Sequence, residues 1–336
     1  MLQLASNENP LGMSDAARAA AAGAMAQASW YPDADGTLLK CELSSRFGVD
    51  AAGITLGCGS SELLEMAARA CVQPGEGIVY SQYGFVVYGL AAAHVHARAT
   101  VVPAQSFGHD LQAMLEAVRP DTRLLFVANP NNPTGSFIGG RDLLAFIERV
   151  PAHVAVLLDE AYIEFLSPVQ HYDSLQWVAR FPNLLVTRTF SKAYGLAGLR
   201  IGYGVSQPAF AARLNAQRPR FNVTTPAIAA ATAALRDTAF VERTARVNAQ
   251  GRDQLTSGCE ALGLQCLPSA GNFVMVRVGD GAHVQRALLE HGIAVAPLDN
   301  YALAPWVRIS VGLPEQNAQV LAALRALAIP STKETA

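Results

Sequence analysis

Lys192 stands in the stretch Thr189-Phe190-Ser191-Lys192-Ala193-Tyr194-Gly195-Leu196-Ala197-Gly198-Leu199-Arg200, where the one other charge is Arg200. A lysine amine has a reference pKa of about 10.4, so near neutral pH it reacts only when burial strips its proton or a carbonyl captures it. A solvated surface lysine normally keeps charged company, and this segment supplies almost none, so we read Lys192 as a buried nucleophile. The segment follows a short apolar run at 184–187, and open α/β sheets gather ligands past the carboxyl ends of such strands.

Other residues offer complementary chemistry. Asp159 closes the apolar run Val154-Ala155-Val156-Leu157-Leu158 and precedes Glu160-Ala161-Tyr162. A carboxylate there can pair with a protonated ring nitrogen, although a helix N-cap is an equally plain use of it. Tyr162 can donate to a ring oxygen or simply fill a core. Asn129-Pro130-Asn131-Asn132-Pro133-Thr134-Gly135 follows another apolar run, and its prolines and glycine make a loop stiff enough to aim the Asn132 amide. Gly57-Cys58-Gly59-Ser60-Ser61-Glu62 leads from a strand into a helix. The N–H groups of Gly59, Ser60 and Ser61 can therefore hold a phosphate at the positive helix end, with Ser191 and Arg200 completing the cradle. Tyr83, past the next strand, can stack on a flat ring or pack in a core. Arg308, within Trp306-Val307-Arg308-Ile309-Ser310, is a charge inside an apolar strand, and a substrate carboxylate or phosphate would suit it as partner. An amine for an aldehyde, an acid for a pyridine nitrogen, donors for a phenolate oxygen and a phosphate cradle are together the requirements of pyridoxal 5'-phosphate.

These groups need a scaffold. Apolar runs at 54–57, 78–80, 99–102, 124–127, 154–158, 184–187 and 201–204 alternate with amphipathic stretches. That is the pattern of an α/β fold whose helices cover one seven-stranded, mostly parallel sheet. Residues 225–257 are rich in alanine, with no proline after Pro226 and no glycine before Gly251, which predicts one long helix leaving the sheet as a strut. The remainder reads as strand, helix, strand, strand, helix over 272–277, 282–291, 293–296, 307–311 and 314–328, a small α+β domain. The expected division is residues 1–24 packing with the small domain or a partner subunit, 25–224 as a large cofactor-binding domain, 225–257 as connecting helix, 258–330 as small C-terminal domain and 331–336 as a frayed polar tail.

Bulk properties agree. With 336 residues, 51% hydrophobic and 15% charged, the chain can build two domains and still line a subunit interface. A net charge of -2 supplies no basic field, which argues against nucleic acid or an anionic membrane as partner and favours small molecules. Cys41, Cys58, Cys71, Cys259 and Cys266 lack CxxC spacing, so neither a metal site nor a disulfide framework is expected. No run approaches the roughly eighteen apolar residues of a membrane span, and Met1-Leu2-Gln3-Leu4 has no basic start, so a cytoplasmic location is expected.

The blocks Gly57 to Glu62, Asn129 to Gly135, Asp159 to Tyr162 and Thr189 to Arg200, in this order, resemble the class I and II aminotransferases of fold type I over almost the whole chain. Within them, Ala5-Ser6-Asn7-Glu8-Asn9-Pro10-Leu11-Gly12, Tyr31-Pro32-Asp33 and Arg218-Pro219-Arg220-Phe221-Asn222-Val223 are most similar to the histidinol-phosphate aminotransferases. The resemblance implies a homodimer with shared active sites, in which Tyr31 reaches the neighbouring subunit's cofactor phosphate. It implies that Asn7, Asn132 and Tyr31 meet the substrate, and that Arg308 grips the carboxylate of glutamate or the phosphate of the other amino donor. It also implies a ping-pong exchange in which the freed Lys192 amine moves a proton from the substrate α-carbon. The sequence departs from the family in beginning almost at the Asn7 motif, where members carry a longer arm. It also has Ala296 where members often have a basic residue. An aromatic amino acid aminotransferase and a threonine-phosphate decarboxylase-like lyase use the same scaffold. A non-catalytic cofactor-binding regulator would need a basic DNA-binding module that this sequence does not supply.

Overall fold

The computed structural model describes residues 1–332. After β1, Leu2–Leu4, the seven apolar runs form seven strands: β2 Ile54–Gly57, β3 Gly77–Ser81, β4 Arg98–Val102, β5 Thr122–Ala128, β6 Ala155–Asp159, β7 Leu184–Thr189 and β8 Gly202–Val205. They lie side by side in the order β2-β8-β7-β6-β5-β3-β4. β8 is antiparallel to both of its neighbours, and the remaining pairs are parallel. Successive residues of β5 enter two different apolar clusters, Leu125 and Val127 one and Leu124 and Phe126 the other. A sheet covered on both faces needs no polar side, which is why its central strands read as continuous apolar runs rather than alternating ones.

A second sheet is built from β1 with β9 Cys266–Leu267, β10 Phe273–Arg277, β11 Ile293–Pro297 and β12 Trp306–Ser310, in the order β1-β11-β12-β10-β9. β1 pairs in parallel with β11, so the first residues of the chain lie in the small sheet. The helix Asp15–Ala24 packs instead against the helix Thr225–Arg236. Neither β1 nor β9 was expected, because two or three residues are too few to show a period.

Two expectations need correction. The predicted single helix over 225–257 is two, Thr225–Arg236 and Thr238–Ala261, meeting at Asp237. Asp237 has φ -86° and ψ 69°, and its carboxylate accepts from the Phe240 N–H at 3.1 Å. A short acid that satisfies a free N–H stabilises a new helix start more than continued winding through itself. The frayed tail is ordered at its beginning: Thr332 N–H donates to Gly263 O at 3.0 Å, and the Thr332 hydroxyl donates to Arg277 O at 3.0 Å. Residues 333–336 lie outside the described residues.

The sheet's geometry gathers the chemistry. Since β8 is antiparallel to both β2 and β7, β2 runs the same way as β5, β6 and β7, and their carboxyl ends share one edge. In register, Ala128 faces Asp159 and Asp159 faces Thr187, while Thr189 faces Gly202 and Gly202 faces Gly57. The segments that start at Gly57, Asn129, Asp159 and Thr189 all begin within a few residues of this edge.

Candidate active site

Past that edge lies a cavity of about 450 Å³, closed on its other side by residues 296–301 and Arg308 of the small sheet and by Ser6 to Glu8. Ser60, Ser61, Asn132, Asp159, Tyr162, Thr189, Ser191, Lys192, Arg200, Arg308 and Asn7 all line it.

Lys192 follows β7 by three residues in a tight turn, with Gly195 N–H donating to Lys192 O at 3.0 Å. Gly195 has φ +70°, and a Cβ there would sit 1.9 Å from Gly12 O, so only glycine lets the N-terminal segment lie this close. That segment supplies the lysine's partner: Nζ donates to Ser6 O at 2.8 Å. Burial, reinforced by the positive charge of Arg308, pulls the Lys192 amine down to about 8.

Asp159, the last residue of β6, is 5% exposed. Its carboxylate accepts from the Tyr88 hydroxyl at 3.0 Å and the Thr187 hydroxyl at 3.3 Å, so neither partner is a cation. Burial pushes the acid up to about 6. The Tyr162 hydroxyl accepts from the Asn7 amide at 2.9 Å, and burial raises it to about 12, so at neutral pH it keeps a proton to donate.

At the other end, Gly59 precedes the helix Ser60–Cys71 with φ +78°. A Cβ there would meet Arg200 Nη2 at 2.3 Å. The Arg200 backbone is left-handed, φ 53°, a conformation that costs a non-glycine residue energy and is kept where the side chain must point one way. Its guanidinium donates to Ala197 O at 2.9 Å and Ser191 Oγ at 3.3 Å. Thr189 and Ser191 hydroxyls join at 2.9 Å. Glu62, in the first helical turn, accepts from the Cys58 N–H at 2.7 Å and the Asn222 amide at 2.6 Å, which pins this turn to the 218–223 segment.

Arg308 donates to Asn132 Oδ1 and Ala5 O, while its Nε is buried without a partner. Its guanidinium lies 5.5 Å over the Phe273 ring, and desolvation lowers its affinity for its proton. Ala296, its register partner on β11, adds no charge beside it.

Three candidates stand apart from the cavity lining. Gly59 contributes backbone only. Tyr83 turns toward the small sheet and stacks on Phe107 at 5.9 Å, and in its stretch Phe85 and Val86 line the cavity instead. Tyr31 is 82% exposed and stacks on Phe221 at 4.6 Å, outside this chain's own cavity. Sequence reasoning missed Tyr88, Ser6 and Tyr301. Tyr88 had a signal: it is the one polar side chain near the start of the helix Val86–His94, whose apolar character predicts burial and hence a hydroxyl in need of a partner.

These groups fit pyridoxal 5'-phosphate. A buried acid bonded only by neutral hydroxyls can take a protonated ring nitrogen. A desolvated amine can take an aldehyde, and the Gly59 turn with Ser191 and Arg200 can take a phosphate dianion. Among the described residues no His, Cys, Asp and Glu group could hold a metal, and no helix is long and apolar enough to cross a membrane.

Comparison with known proteins agrees with this geometry. The sequence matches the family of aminotransferases class I and II over residues 1–324. It is 57% identical over 328 residues to histidinol-phosphate aminotransferase 2 of Ralstonia nicotianae, covering 96% of this chain and 88% of that one. It is 54% identical to histidinol-phosphate aminotransferase 1 of Cupriavidus pinatubonensis, with 96% and 87% covered. Among solved structures, histidinol-phosphate aminotransferase from Sinorhizobium meliloti, in complex with pyridoxal-5'-phosphate, superimposes with a TM-score of 0.89 at 31% identity, covering 97% of this chain and 91% of that one. This chain belongs to the class I and II aminotransferases.

Proposed function

We propose that this chain uses pyridoxal 5'-phosphate to exchange an amino group between glutamate and imidazole-acetol phosphate, giving 2-oxoglutarate and histidinol phosphate, or the reverse. The observation that carries the reading is one cavity in which a desolvated lysine, a buried acid without a cation and a phosphate-binding helix start face each other. The substrate pair comes from the relatives named histidinol-phosphate aminotransferase.

When bound, the cofactor supplies an electron-accepting ring that stabilises negative charge on the substrate α-carbon. Gly59, Ser60, Ser61, Thr189, Ser191 and Arg200 hold its phosphate, and Tyr162 and Asn132 serve its ring oxygen. Asp159 keeps a proton on the ring nitrogen. Lys192 would hold the cofactor by its aldehyde, and its free amine would be the base that carries a proton away from the substrate α-carbon. Arg308 would hold the carboxylate or phosphate of the substrate, beside Asn7.

The reading includes a homodimer in the cytoplasm. Trp30 and Tyr31 are exposed and Phe221 stacks on Tyr31, an aromatic patch that suits burial against a second copy, where Tyr31 would reach the partner's phosphate cradle. The test is spectroscopic. Purified holoprotein is mixed with glutamate, histidinol phosphate or phenylalanine, and the cofactor's absorbance change is followed. Conversion by glutamate and histidinol phosphate is expected. Conversion by phenylalanine with none by histidinol phosphate would replace the substrate with an aromatic amino acid, a case for which the apolar wall of Ala296, Pro297 and Leu298 provides room.

A further inference from the structure

The helix Val86–His94 enters the sheet's flank from the rim of the cavity, where Val86 N–H donates to the Tyr301 hydroxyl at 3.3 Å. Two residues further in, Tyr88 is fully buried. Its ring stacks on Phe126 at 4.6 Å and 7°, with Tyr80 and Phe85 set edge-on. Gly84 makes room for it, since a Cβ there would lie 3.0 Å from Tyr88 Cδ2. The other buried members of this cluster carry only apolar side chains, which phenylalanine would satisfy equally. The hydroxyl is the exception, and it reaches Asp159 Oδ2 at 3.0 Å. Burial and the nearby Asp159 hold the phenol well above its ordinary range, so it remains a donor. A donated hydrogen bond favours the ionised acid, against burial, which favours the neutral one.

We propose that Tyr88 is a positioning residue for the reaction, acting through Asp159: its hydroxyl fixes that carboxylate and keeps it ionised, so that it meets the cofactor's ring nitrogen as an anion. The proposal rests on the function assigned above and adds a residue to it. The groups facing Asp159 are Tyr88 from its helix, Thr187 from β7 and Tyr162 from the segment after β6; the Glu160 charge acts on it through space from the opposite face, and Lys192, Arg200 and Arg308 open on the same cavity.

The test compares wild type, Tyr88→Phe, Asp159→Asn and the double variant. One measurement is the dissociation constant of pyridoxal 5'-phosphate from cofactor-stripped protein. The other is the Asp159 titration midpoint, followed by carboxyl carbon NMR in the stripped protein. Removing a hydrogen bond to a charged group is expected to weaken cofactor binding roughly tenfold to a hundredfold in Tyr88→Phe. The Asp159 midpoint should rise in the same variant, and Tyr88→Phe should add less than about twofold on Asp159→Asn, where no charge is left to stabilise. Tyr88→Leu repeats the deletion in a second shape, and melting temperatures show which variants fold. Wild-type affinity with a wild-type midpoint in folded Tyr88→Phe, or an equal loss on Asp159→Asn, overturns the role given to Tyr88 and leaves the function standing. Failure of the wild type to bind the cofactor overturns the function itself.

Discussion

Arg188 and Glu160 meet back to back with the candidate site. Arg188 Nε and Nη2 both lie 2.9 Å from Glu160 Oε2, with Glu160 0% and Arg188 7% exposed. Arg188 separates Thr187 from Thr189 on β7, and Glu160 directly follows Asp159. Side chains alternate along a strand, so Asp159 and Thr189, which line the cavity, and the Arg188–Glu160 pair occupy opposite faces of the same two segments.

Breaking such a pair on one side leaves an uncompensated buried charge. Arg188→Met or Glu160→Gln alone should lower stability by about 3–5 kcal/mol, whereas Arg188→Met with Glu160→Leu should recover most of it. Chemical denaturation of the four proteins measures this. An equal loss in the double variant would show that the pair's fit, rather than its buried charge, matters.

Lys192 carries a pH prediction. Its amine is pulled down to about 8, so below that pH the unprotonated fraction falls tenfold per unit. The rate at which cofactor-stripped protein captures pyridoxal 5'-phosphate should rise tenfold per unit up to about pH 8 and level above it. A rate still climbing toward pH 10 would mean a solvated lysine. Replacement by Lys192→Ala should slow amino transfer by about 10²–10⁴-fold, the usual worth of a positioned general base.

Gly59 tests the cradle. Alanine there must hold φ +78° and push its Cβ into Arg200 Nη2. If Arg200 binds the phosphate, Gly59→Ala should cost about 1.5–3 kcal/mol of cofactor affinity, one charge-assisted contact. Cofactor titration checks it, and unchanged affinity would remove Arg200 from the cradle.

Most of the sheet was legible because each strand is an apolar run between turn residues, and the residues at the strand ends were legible because polar side chains there have few structural uses. What escaped has physical reasons. The break at Asp237 hides in a helix-forming composition, since one side-chain hydrogen bond outweighs the propensity around it. Ser6 acts through its carbonyl, which any residue carries. Tyr83 and Phe85 are two residues apart in a stretch where either ring can turn to the cavity, and only packing against Phe107 and Trp306 decides which does.

Arg308 allows the substrate reading to be tested from the protein's side. Three cations line the cavity, and in the proposed function Lys192 takes the aldehyde and Arg200 the cofactor phosphate, which leaves Arg308 for the substrate's anion. On that reading glutamate and histidinol phosphate bind in turn, so one guanidinium would serve both, a carboxylate in one half of the cycle and a phosphate in the other. Arg308→Gln should therefore lower kcat/KM for both by similar factors, about tenfold to a hundredfold for a lost bond to a charged group. Arg308→Lys keeps the charge without the planar fork and should recover only part. Arg308 also repels the Lys192 amine, so its removal should move the pH midpoint of aldehyde capture upward. A loss confined to one substrate would place the second anion on another group, and an unmoved midpoint would show that Lys192 is held down without Arg308, by burial and Arg200.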